Sequence, residues 1–389
     1  MCSPNSRRRV LVFIPNYLPG FKSGGILRTL VNTVDWLADD HEFWIVTRDR
    51  DLGETQPYDD IDRDRWQLVD GAMVRYLAPE AINTRAIARL VAETPHDVLH
   101  LNSFFDPVFT MKVLMARWRG WLPRVPLLLS PRGEFVEGPL HLKYRKKQVY
   151  IALTRLVGFY RGVVWHASSI HEQRDFINVL KVNPGNVKIA LDLPSRVNLA
   201  VAPSELLAKE QLRIVFLSRL TREKNLDHAL RILRKVSAPV TFDIYGPAED
   251  ADYWVECQQL MTQLPPNITA RYHGSVVPTE VAGIFSHYDL FFFPSRGENY
   301  GHVIAEAISA GTKVLISKNT PWLDLASEQI GWDVELNDEA EFVGKIEALA
   351  RLPHAQRLSD RATVMMNAAT RLLDPKVVAD NRALYDIDQ

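Results

Sequence analysis

The stretch from Leu290 to Ala307, LFFFPSRGENYGHVIAEA, joins a short apolar strand, a polar loop and the start of a helix. We call residues 294–301 the glutamate loop. Gly301 lets the backbone turn and approach a ligand closely, and the helix that begins near His302 directs its free amide groups and positive dipole end toward the loop. This order predicts an α/β sheet with an anion-binding site at a strand end.

Two carboxylates belong to this stretch. Glu298 lies in the glutamate loop, and Glu306 follows one turn inside the helix, on the face of His302. Carboxylates accept hydrogen bonds from sugar and ribose hydroxyls. Acidic residues also occur at helix starts for dipole reasons alone, but a strand-end loop is the usual ligand position in α/β sheets. The predicted ligand contacts here are Glu298, Asn299, Tyr300, Gly301, His302 and Glu306.

A second loop in the same half is basic. Residues 218–225, SRLTREKN, follow an apolar strand, and we call them the basic loop. Arg219 carries a fork-shaped guanidinium and Lys224 a point charge, the two groups suited to gripping a diphosphate. A basic loop alone is most often solvated surface. The nearby glutamate loop favours a binding function.

Apolar strands and amphipathic helices alternate along both halves, which predicts parallel strands in βαβ units. A proline-containing stretch without a clean period, Leu191 to Glu210, is the predicted linker. We therefore expect an α/β fold of two Rossmann-like, doubly wound parallel-sheet domains, residues 1–200 and 211–372, facing across a cleft. The predicted strands are Val10–Ile14, Phe43–Thr47, Val98–Leu101, Leu127–Ser130 and Val163–His166, then Arg213–Ser218, Val240–Tyr245, Ile268–His273, Leu290–Phe293 and Val314–Ile316.

Composition excludes several classes of protein. The 389 residues carry 46 basic and 47 acidic side chains, a net charge of −1 that provides no global attraction for nucleic acid. The two cysteines, Cys2 and Cys257, are too few for a disulfide framework, which fits a reducing compartment. With no signal h-region and no apolar run of about 20 residues, we expect a cytoplasmic protein that does not span a membrane.

The first half offers weaker candidates. Gly24 and Gly25 end a glycine-rich turn after the first strand that matches neither a dinucleotide fingerprint nor a Walker A loop, yet glycine there lets backbone approach a phosphate. Arg132 follows the strand Leu127–Ser130 and is suited to an anionic ligand. The alternative for Arg132 is a capped turn with exposed charges.

Residues 139–161 mix basic and apolar side chains in the pattern of a basic amphipathic helix. Such a helix can lie on anionic lipid, which predicts peripheral contact with the inner face of the membrane. The alternative is a core-facing helix with a solvated basic side.

Metal chemistry finds little support. Four D-x-D triplets, Asp49/Asp51, Asp60/Asp62, Asp62/Asp64 and Asp250/Asp252, lie in polar stretches and are interpreted as surface charge. No H-E-x-x-H or G-x-S-x-G motif occurs. We expect no metal and no cofactor.

With both loops in view, the chain resembles glycosyltransferase family 4, a retaining family with the GT-B fold. The most specific match is GENYGHVIAEA, residues 297–307, and SRLTREKN is similar to the family's diphosphate-binding segment. The resemblance implies that Glu298 contacts the donor sugar and Glu306 the nucleotide ribose. It also implies nucleobase-side contacts from Gly246, Ser275 and Val276, and a glycine loop at Gly24 and Gly25.

The resemblance further implies a mechanism. Transfer would retain the anomeric configuration, with the departing diphosphate accepting the acceptor's proton and no protein nucleophile. Arg219, Lys224 and Glu298 are the implied catalytic residues, and their two cations make a metal unnecessary. Many family members carry a histidine in the segment that corresponds to Ser130–Glu134, and this chain has none there. The histidine-dependent version of the mechanism therefore does not carry over. The last helix, near Pro375–Tyr385 within residues 373–389, is implied to cross back onto the N-terminal domain.

The implied substrates are a nucleotide-sugar donor, bound by the C-terminal domain, and a glycan or lipid-linked glycan acceptor of bacterial cell-surface polysaccharide type on the N-terminal side. Two alternatives stay open. One is a GT-B sugar-nucleotide epimerase or phosphorylase, and the other an inactive sugar-nucleotide-binding subunit.

Overall fold

The computed structural model describes residues 7–135, 144–196 and 211–387. The chain divides into two units: residues up to Arg196 together with those from Pro375 onward form the first unit, and the stretch that ends at Asp374 forms the second. Each unit is built around one β-sheet.

The first unit contains an eight-stranded sheet in the order β3-β4-β2-β1-β5-β6-β7-β8. All neighbouring strands pair in parallel except β3 and β4, which form an antiparallel pair at one edge. The strands are β1 (Arg8–Phe13), β2 (His41–Arg48), β3 (Trp66–Val69), β4 (Ala72–Leu77), β5 (Val98–Asn102), β6 (Leu127–Ser130), β7 (Val163–Ala167) and β8 (Val187–Ile189).

The described helices of the first unit connect these strands, apart from the last, which comes from the end of the chain. They are α1 (Gly25–Leu37), α2 (Thr84–Glu93), α3 (Met111–Trp118), α4 (Tyr144–Leu156), α5 (Ile170–Leu180) and α12 (Pro375–Tyr385).

The second unit contains a six-stranded sheet in the order β11-β10-β9-β12-β13-β14, parallel throughout. Its strands are β9 (Leu212–Leu217), β10 (Val240–Tyr245), β11 (Ile268–Tyr272), β12 (Leu290–Phe293), β13 (Lys313–Ser317) and β14 (Gly331–Val334). Its helices are α6 (Leu226–Leu233), α7 (Ala251–Met261), α8 (Val281–Phe285), α9 (His302–Ser309), α10 (Glu339–Arg351) and α11 (His354–Leu372).

The two sheets confirm the predicted α/β class with two parallel-sheet domains. Residues Val10–Phe13 of β1 and all of β12 are apolar and buried, as is typical of central strands in a parallel sheet. Four strands were missed: β3, β4, β8 and β14. All four have at least two partly exposed positions, so they lack the continuous buried run that marks the central strands.

The last helix is anchored in the first unit. Arg8 donates from its guanidinium to the Tyr385 carbonyl at 2.8 Å, and Asn381 donates from Nδ2 to the Leu191 carbonyl at 2.7 Å. The Tyr385 ring is buried against Phe43, with ring centroids 5.6 Å apart. Helix α12 thus completes the core of the first unit.

The start of the predicted linker also belongs to this core. Asp192 and Leu193 are buried, and Asn32 donates from Nδ2 to the Leu193 carbonyl at 2.8 Å. Trp36 donates from its indole nitrogen to the Pro194 carbonyl at 2.8 Å. Residues 197–210 of the predicted linker lie outside the described part of the chain.

One interpretation of the aspartate triplets is wrong. Asp49 and Asp51 are buried rather than surface charges. Asp49 pairs with Arg50 at 2.8 Å and Arg63 at 3.3 Å, which offsets the cost of removing its charge from water. Asp60, Asp62, Asp64 and Asp252 are exposed, and Asp250 caps α7 by accepting from the Tyr253 amide at 3.0 Å.

Candidate functional site

The basic loop and the glutamate loop leave the sheet of the second unit side by side. The basic loop follows β9, the glutamate loop follows β12, and these two strands are parallel neighbours with Ile214 opposite Leu290. Their carboxyl ends therefore meet at one edge of the sheet, which is where α/β proteins bind ligands.

An ion pair joins the two loops. Lys224 Nζ lies 2.6 Å from Glu298 Oε1, and their side chains are only 14% and 10% exposed. Ser295 donates from Oγ to the same carboxylate oxygen at 2.9 Å, and the ammonium lies 5.9 Å from the centre of the Phe293 ring. The structure thus brings together two of the predicted catalytic residues, a cation and a carboxylate, in a largely water-excluded position.

Further hydrogen bonds fasten the loops together. Asn225 is buried, donates from Nδ2 to the Pro294 carbonyl at 2.9 Å and accepts at Oδ1 from Arg296 Nε at 3.0 Å. The Arg296 amide donates to the Glu223 carbonyl at 2.9 Å. Sequence reasoning missed Asn225. The only sequence signal for Asn225 is its residue type, because asparagine is among the few residues that tolerate the left-handed backbone conformation, and its φ here is 65°.

Glu223 adds a second carboxylate beside the pair. The pKa of Glu223 is raised, because burial and the neighbouring Glu298 carboxylate outweigh the opposing effect of the Lys224 ammonium. A Cβ at Gly297 would lie 3.1 Å from Glu223 Oε1, so the glutamate loop passes close to this side chain. The structure therefore places two carboxylates around one lysine, where motif reasoning singled out only Glu298.

The turn into α9 depends on Gly301. Its φ is 83°, and a Cβ there would lie 2.9 Å from Ile304 Cδ1. The N-cap residue Gly301 forms no side-chain capping hydrogen bond to α9, and a helix start of this kind suits an anion. His302 begins the helix, and half-buried Glu306 follows one turn later.

Tyr300 and Asn299 occupy different environments beside this turn. The Tyr300 ring is buried, 5.4 Å from the Trp322 ring and 4.8 Å from that of His302, and its carbonyl accepts from the Trp322 indole at 2.5 Å. Tyr300 therefore anchors the turn through its buried contacts with Trp322. Asn299 is half-buried in the loop.

Arg219 differs from Lys224 in its surroundings. Its side chain is 47% exposed and lies 3.3 Å from Glu249 Oε2, whose side chain is 38% exposed. Such an open pair is weak and readily exchanged for another anion. Arg219 is therefore free to reorient, while Lys224 is already held in place.

The predicted nucleobase-side loops follow β10 and β11. Gly246 has a φ of 133°, and a Cβ there would fall 1.8 Å from the Ser218 carbonyl oxygen, so only glycine fits against the basic loop. Its amide donates to the Gly274 carbonyl at 2.7 Å, which links the two loops. Ser275 is exposed, and half-buried Val276 packs on the core of the second unit.

In the first unit, Arg132 is not an exposed charge. Its guanidinium is 5% exposed, donates to Asn102 Oδ1 at 3.0 Å and pairs with Asp192 at 2.9 Å. The reason is a backbone φ of 57°, which turns the side chain toward the ends of the neighbouring strands. Both the exposed-turn alternative and a ready-made anion contact fit poorly, and the predicted ligand role of Arg132 stays a prediction.

A buried hydrogen-bonded chain lies under this strand end. His166 Nε2 lies 2.9 Å from the Ala190 carbonyl and must donate, so its Nδ1 accepts from Ser130 Oγ at 2.8 Å. Ser130 in turn accepts from His100 Nε2 at 2.9 Å, which leaves His100 Nδ1 to accept from Tyr385 Oη at 3.2 Å. Burial, reinforced by the Arg132 charge, lowers the pKa of His166 to about 4 and that of His100 well below its usual range.

The glycine turn of the first unit is held by Asp51. Its carboxylate accepts from the Phe21 amide at 2.9 Å and the Lys22 amide at 3.2 Å. Gly24 has a φ of 67° at the N-cap of α1, without a side-chain cap, and Gly25 is the first helical residue. The turn therefore presents an uncapped helix start, and Asp51 is a positioning residue that motif reasoning missed.

Within the described residues, no group of three or more His, Cys, Asp and Glu side chains is arranged to hold a metal ion. In the same residues, no helix has the length and apolarity to span a membrane.

The fold and the loop arrangement define the chain as a protein of GT-B architecture, with two parallel-sheet units. Residues 201–365, most of the second unit, match the family model of glycosyl transferases group 1.

Several known proteins are similar to this chain. The HepE protein of Anabaena, solved in complex with UDP and glucose, superposes with a TM-score of 0.69 at 17% identity over 97% of this chain and 98% of HepE. WaaG, a glycosyltransferase involved in lipopolysaccharide biosynthesis, gives a TM-score of 0.62 at 13% identity over 97% of this chain and 98% of WaaG.

Among curated proteins, a 41.2 kDa protein in the cps region of Klebsiella pneumoniae is 24% identical over 228 residues, 56% of this chain. The matched part spans 59% of the length of that relative. At these identities, the superpositions show the fold.

Proposed function

We propose that the protein is a retaining glycosyltransferase of family 4 that moves a hexose from a nucleotide-sugar donor to a glycan or lipid-linked glycan in surface polysaccharide biosynthesis. The observation that carries the proposal is the pairing of Lys224 with Glu298, which joins two strand-end loops beside an uncapped helix start. Cation, carboxylate and helix amides are the groups that a sugar diphosphate requires.

The roles of the residues follow from this arrangement. Arg219, Lys224 and the amides of α9 stabilise the diphosphate as negative charge develops on it, so they act more strongly in the transition state than on bound donor. Glu298 accepts hydrogen bonds from the donor sugar and Glu306 from the ribose. Gly246, Ser275 and Val276 face the nucleobase, and no metal takes part.

Similar proteins support the choice of substrates. HepE was solved with UDP and glucose, and WaaG takes part in lipopolysaccharide biosynthesis. We extend both properties to this chain: a nucleotide-sugar donor and a cell-surface glycan acceptor. We also propose peripheral membrane contact through residues 139–161, of which 139–143 lie outside the described part of the chain.

The test begins with thermal shift against UDP-, GDP-, ADP- and dTDP-sugars, since a ligand that binds the native state stabilises it in proportion to occupancy. The stabilising donor is then incubated with and without acceptor glycans, and the anomer of the product is assigned by NMR. Transfer with retention is expected. Conversion of donor without acceptor would indicate an epimerase, and stabilisation without turnover on any acceptor would indicate a binding subunit.

A further inference from the structure

Helix α4 has apolar side chains on its outer side as well as its inner side. Val149, Leu153 and Leu156 are 59%, 58% and 83% exposed, and their spacing of four and three residues places them in one stripe. Ile151 and Thr154, on the opposite side, are buried in the first unit. The outer side is therefore not the purely basic, solvated surface of the alternative interpretation.

A second segment extends the stripe. Trp118, at the end of α3, is 53% exposed and donates from its indole nitrogen to the carbonyl of Val157, which is 50% exposed, at 3.3 Å. The neighbouring Arg117 donates to the Arg161 carbonyl at 3.0 Å, so the end of α3 is fastened to the turn after α4. We call Trp118, Val149, Leu153, Leu156 and Val157 the apolar face. Five large exposed side chains from two segments are unusual on the surface of a monomer.

The apolar face lies in the most basic part of the chain. Residues 107–171 contain eleven Lys and Arg but only two Asp and Glu, while the whole chain has a net charge of −1. Arg119, Lys146, Arg155 and Arg161 are exposed. An apolar stripe with basic surroundings is the arrangement that lies in the interface of an anionic bilayer.

We propose that the apolar face docks the first unit onto a bilayer rich in anionic phospholipid, with Trp118, Leu153 and Leu156 in the interfacial layer. The basic residues around them would meet lipid phosphates. A second copy of the chain is a poorer occupant, because a symmetric contact would bring two equally basic surfaces together. The inference rests on the proposed function and deepens it, since a docked enzyme would act on an acceptor carried by a lipid.

The experiment uses the full chain and flotation with vesicles of phosphatidylglycerol and phosphatidylethanolamine, or of phosphatidylcholine alone. Wild type is expected to float with the anionic vesicles and to dissociate as salt rises, since the basic residues are screened. The double variant Leu153→Glu/Leu156→Glu should bind at least on the order of tenfold more weakly, because two apolar side chains leave the interface. Leu68→Glu, at another exposed leucine of the first unit, is the matched control and should bind as wild type does.

Three results would overturn the inference. Wild type fails to float, the double variant floats as well as wild type, or gel filtration shows a dimer that only the double variant abolishes. Thermal shift with the nucleotide-sugar donor, run on the same variants, separates this inference from the proposed function: donor binding should be unchanged whether or not the vesicles are bound.

Discussion

Replacing Lys224 with alanine should lower the stability of the protein more than replacing Arg219, the other cation of the basic loop. The change removes the counter-ion of Glu298, a carboxylate whose side chain is 10% exposed and lies 2.6 Å from the ammonium. A buried charge that loses its partner is costly, at roughly 3–5 kcal/mol where no other group compensates. Ser295 still donates to the carboxylate, so we expect a loss of about 2–3 kcal/mol.

Arg219→Ala is the matched comparison, because its partner is a glutamate in an open position. With side chains 47% and 38% exposed, the pair with Glu249 should contribute less than about 0.5 kcal/mol. Both variants should lower turnover by roughly a hundredfold, by analogy with the loss of one preorganised donor to a developing anion. The two cations are thus expected to be alike in catalysis and unlike in stability.

The assay is urea unfolding of both variants beside turnover with saturating donor. The double variant Lys224→Met/Glu298→Gln should recover much of the lost stability, since it removes both charges, yet should stay inactive. Equal stability of Lys224→Ala and Arg219→Ala would refute the buried ion pair. Wild-type turnover in both would refute the diphosphate assignment and leave the basic loop as surface.

Four further outcomes are expected. Glu306→Ala should weaken binding of the nucleoside diphosphate by on the order of 1–3 kcal/mol in calorimetric titration, and an unchanged affinity in a folded variant would contradict the ribose contact. Activity should survive EDTA, whereas loss with rescue by manganese would contradict the cationic mechanism. Asn225→Ala should lower kcat more than it changes KM, and Asn225→Asp, which keeps the acceptor for Arg296 but loses the donor to Pro294, should be intermediate. The free energy of unfolding should fall by about 3 kcal/mol as the pH is lowered from 6.5 to about 4, because the unfolded chain protonates His166 near 6.5 and the folded chain only near 4. Urea unfolding across this pH range measures the change. A flat profile would contradict the buried hydrogen-bonded chain.

The central strands were predictable because their burial gives a continuous apolar run in the local sequence. Leu290–Phe293 and Val240–Tyr245 have the same bounds in the prediction and in the structure. Each is a short run between turn residues, and its neighbours on both sides are strands of the same kind, so no long-range information is needed.

Edge strands were not predictable in this way. The four residues of β3 include exposed Leu68 and no buried position, and their antiparallel pairing with β4 is set by the turn at Gly71, whose φ is 83°. A strand that leaves one face open to water needs no continuous apolar run. Its pattern therefore looks like that of a loop.

The residues of the candidate site show the same difference between what local sequence reveals and what only the folded chain reveals. Motifs indicated the residues whose chemistry can be read from type and spacing, such as Glu298 and Lys224, but not those that hold them. Asn225 and Asp51 act through partners some 69 and 30 residues away, and only the folded chain brings these groups within hydrogen-bond distance. Arg132 is the reverse case: its type suggests a ligand contact, but a left-handed backbone conformation turns it inward to Asp192, 60 residues away. Positioning therefore depends on hydrogen bonds between loops, and a variant series that keeps Glu298 and Lys224 while changing Asn225 or Asp51 measures it directly.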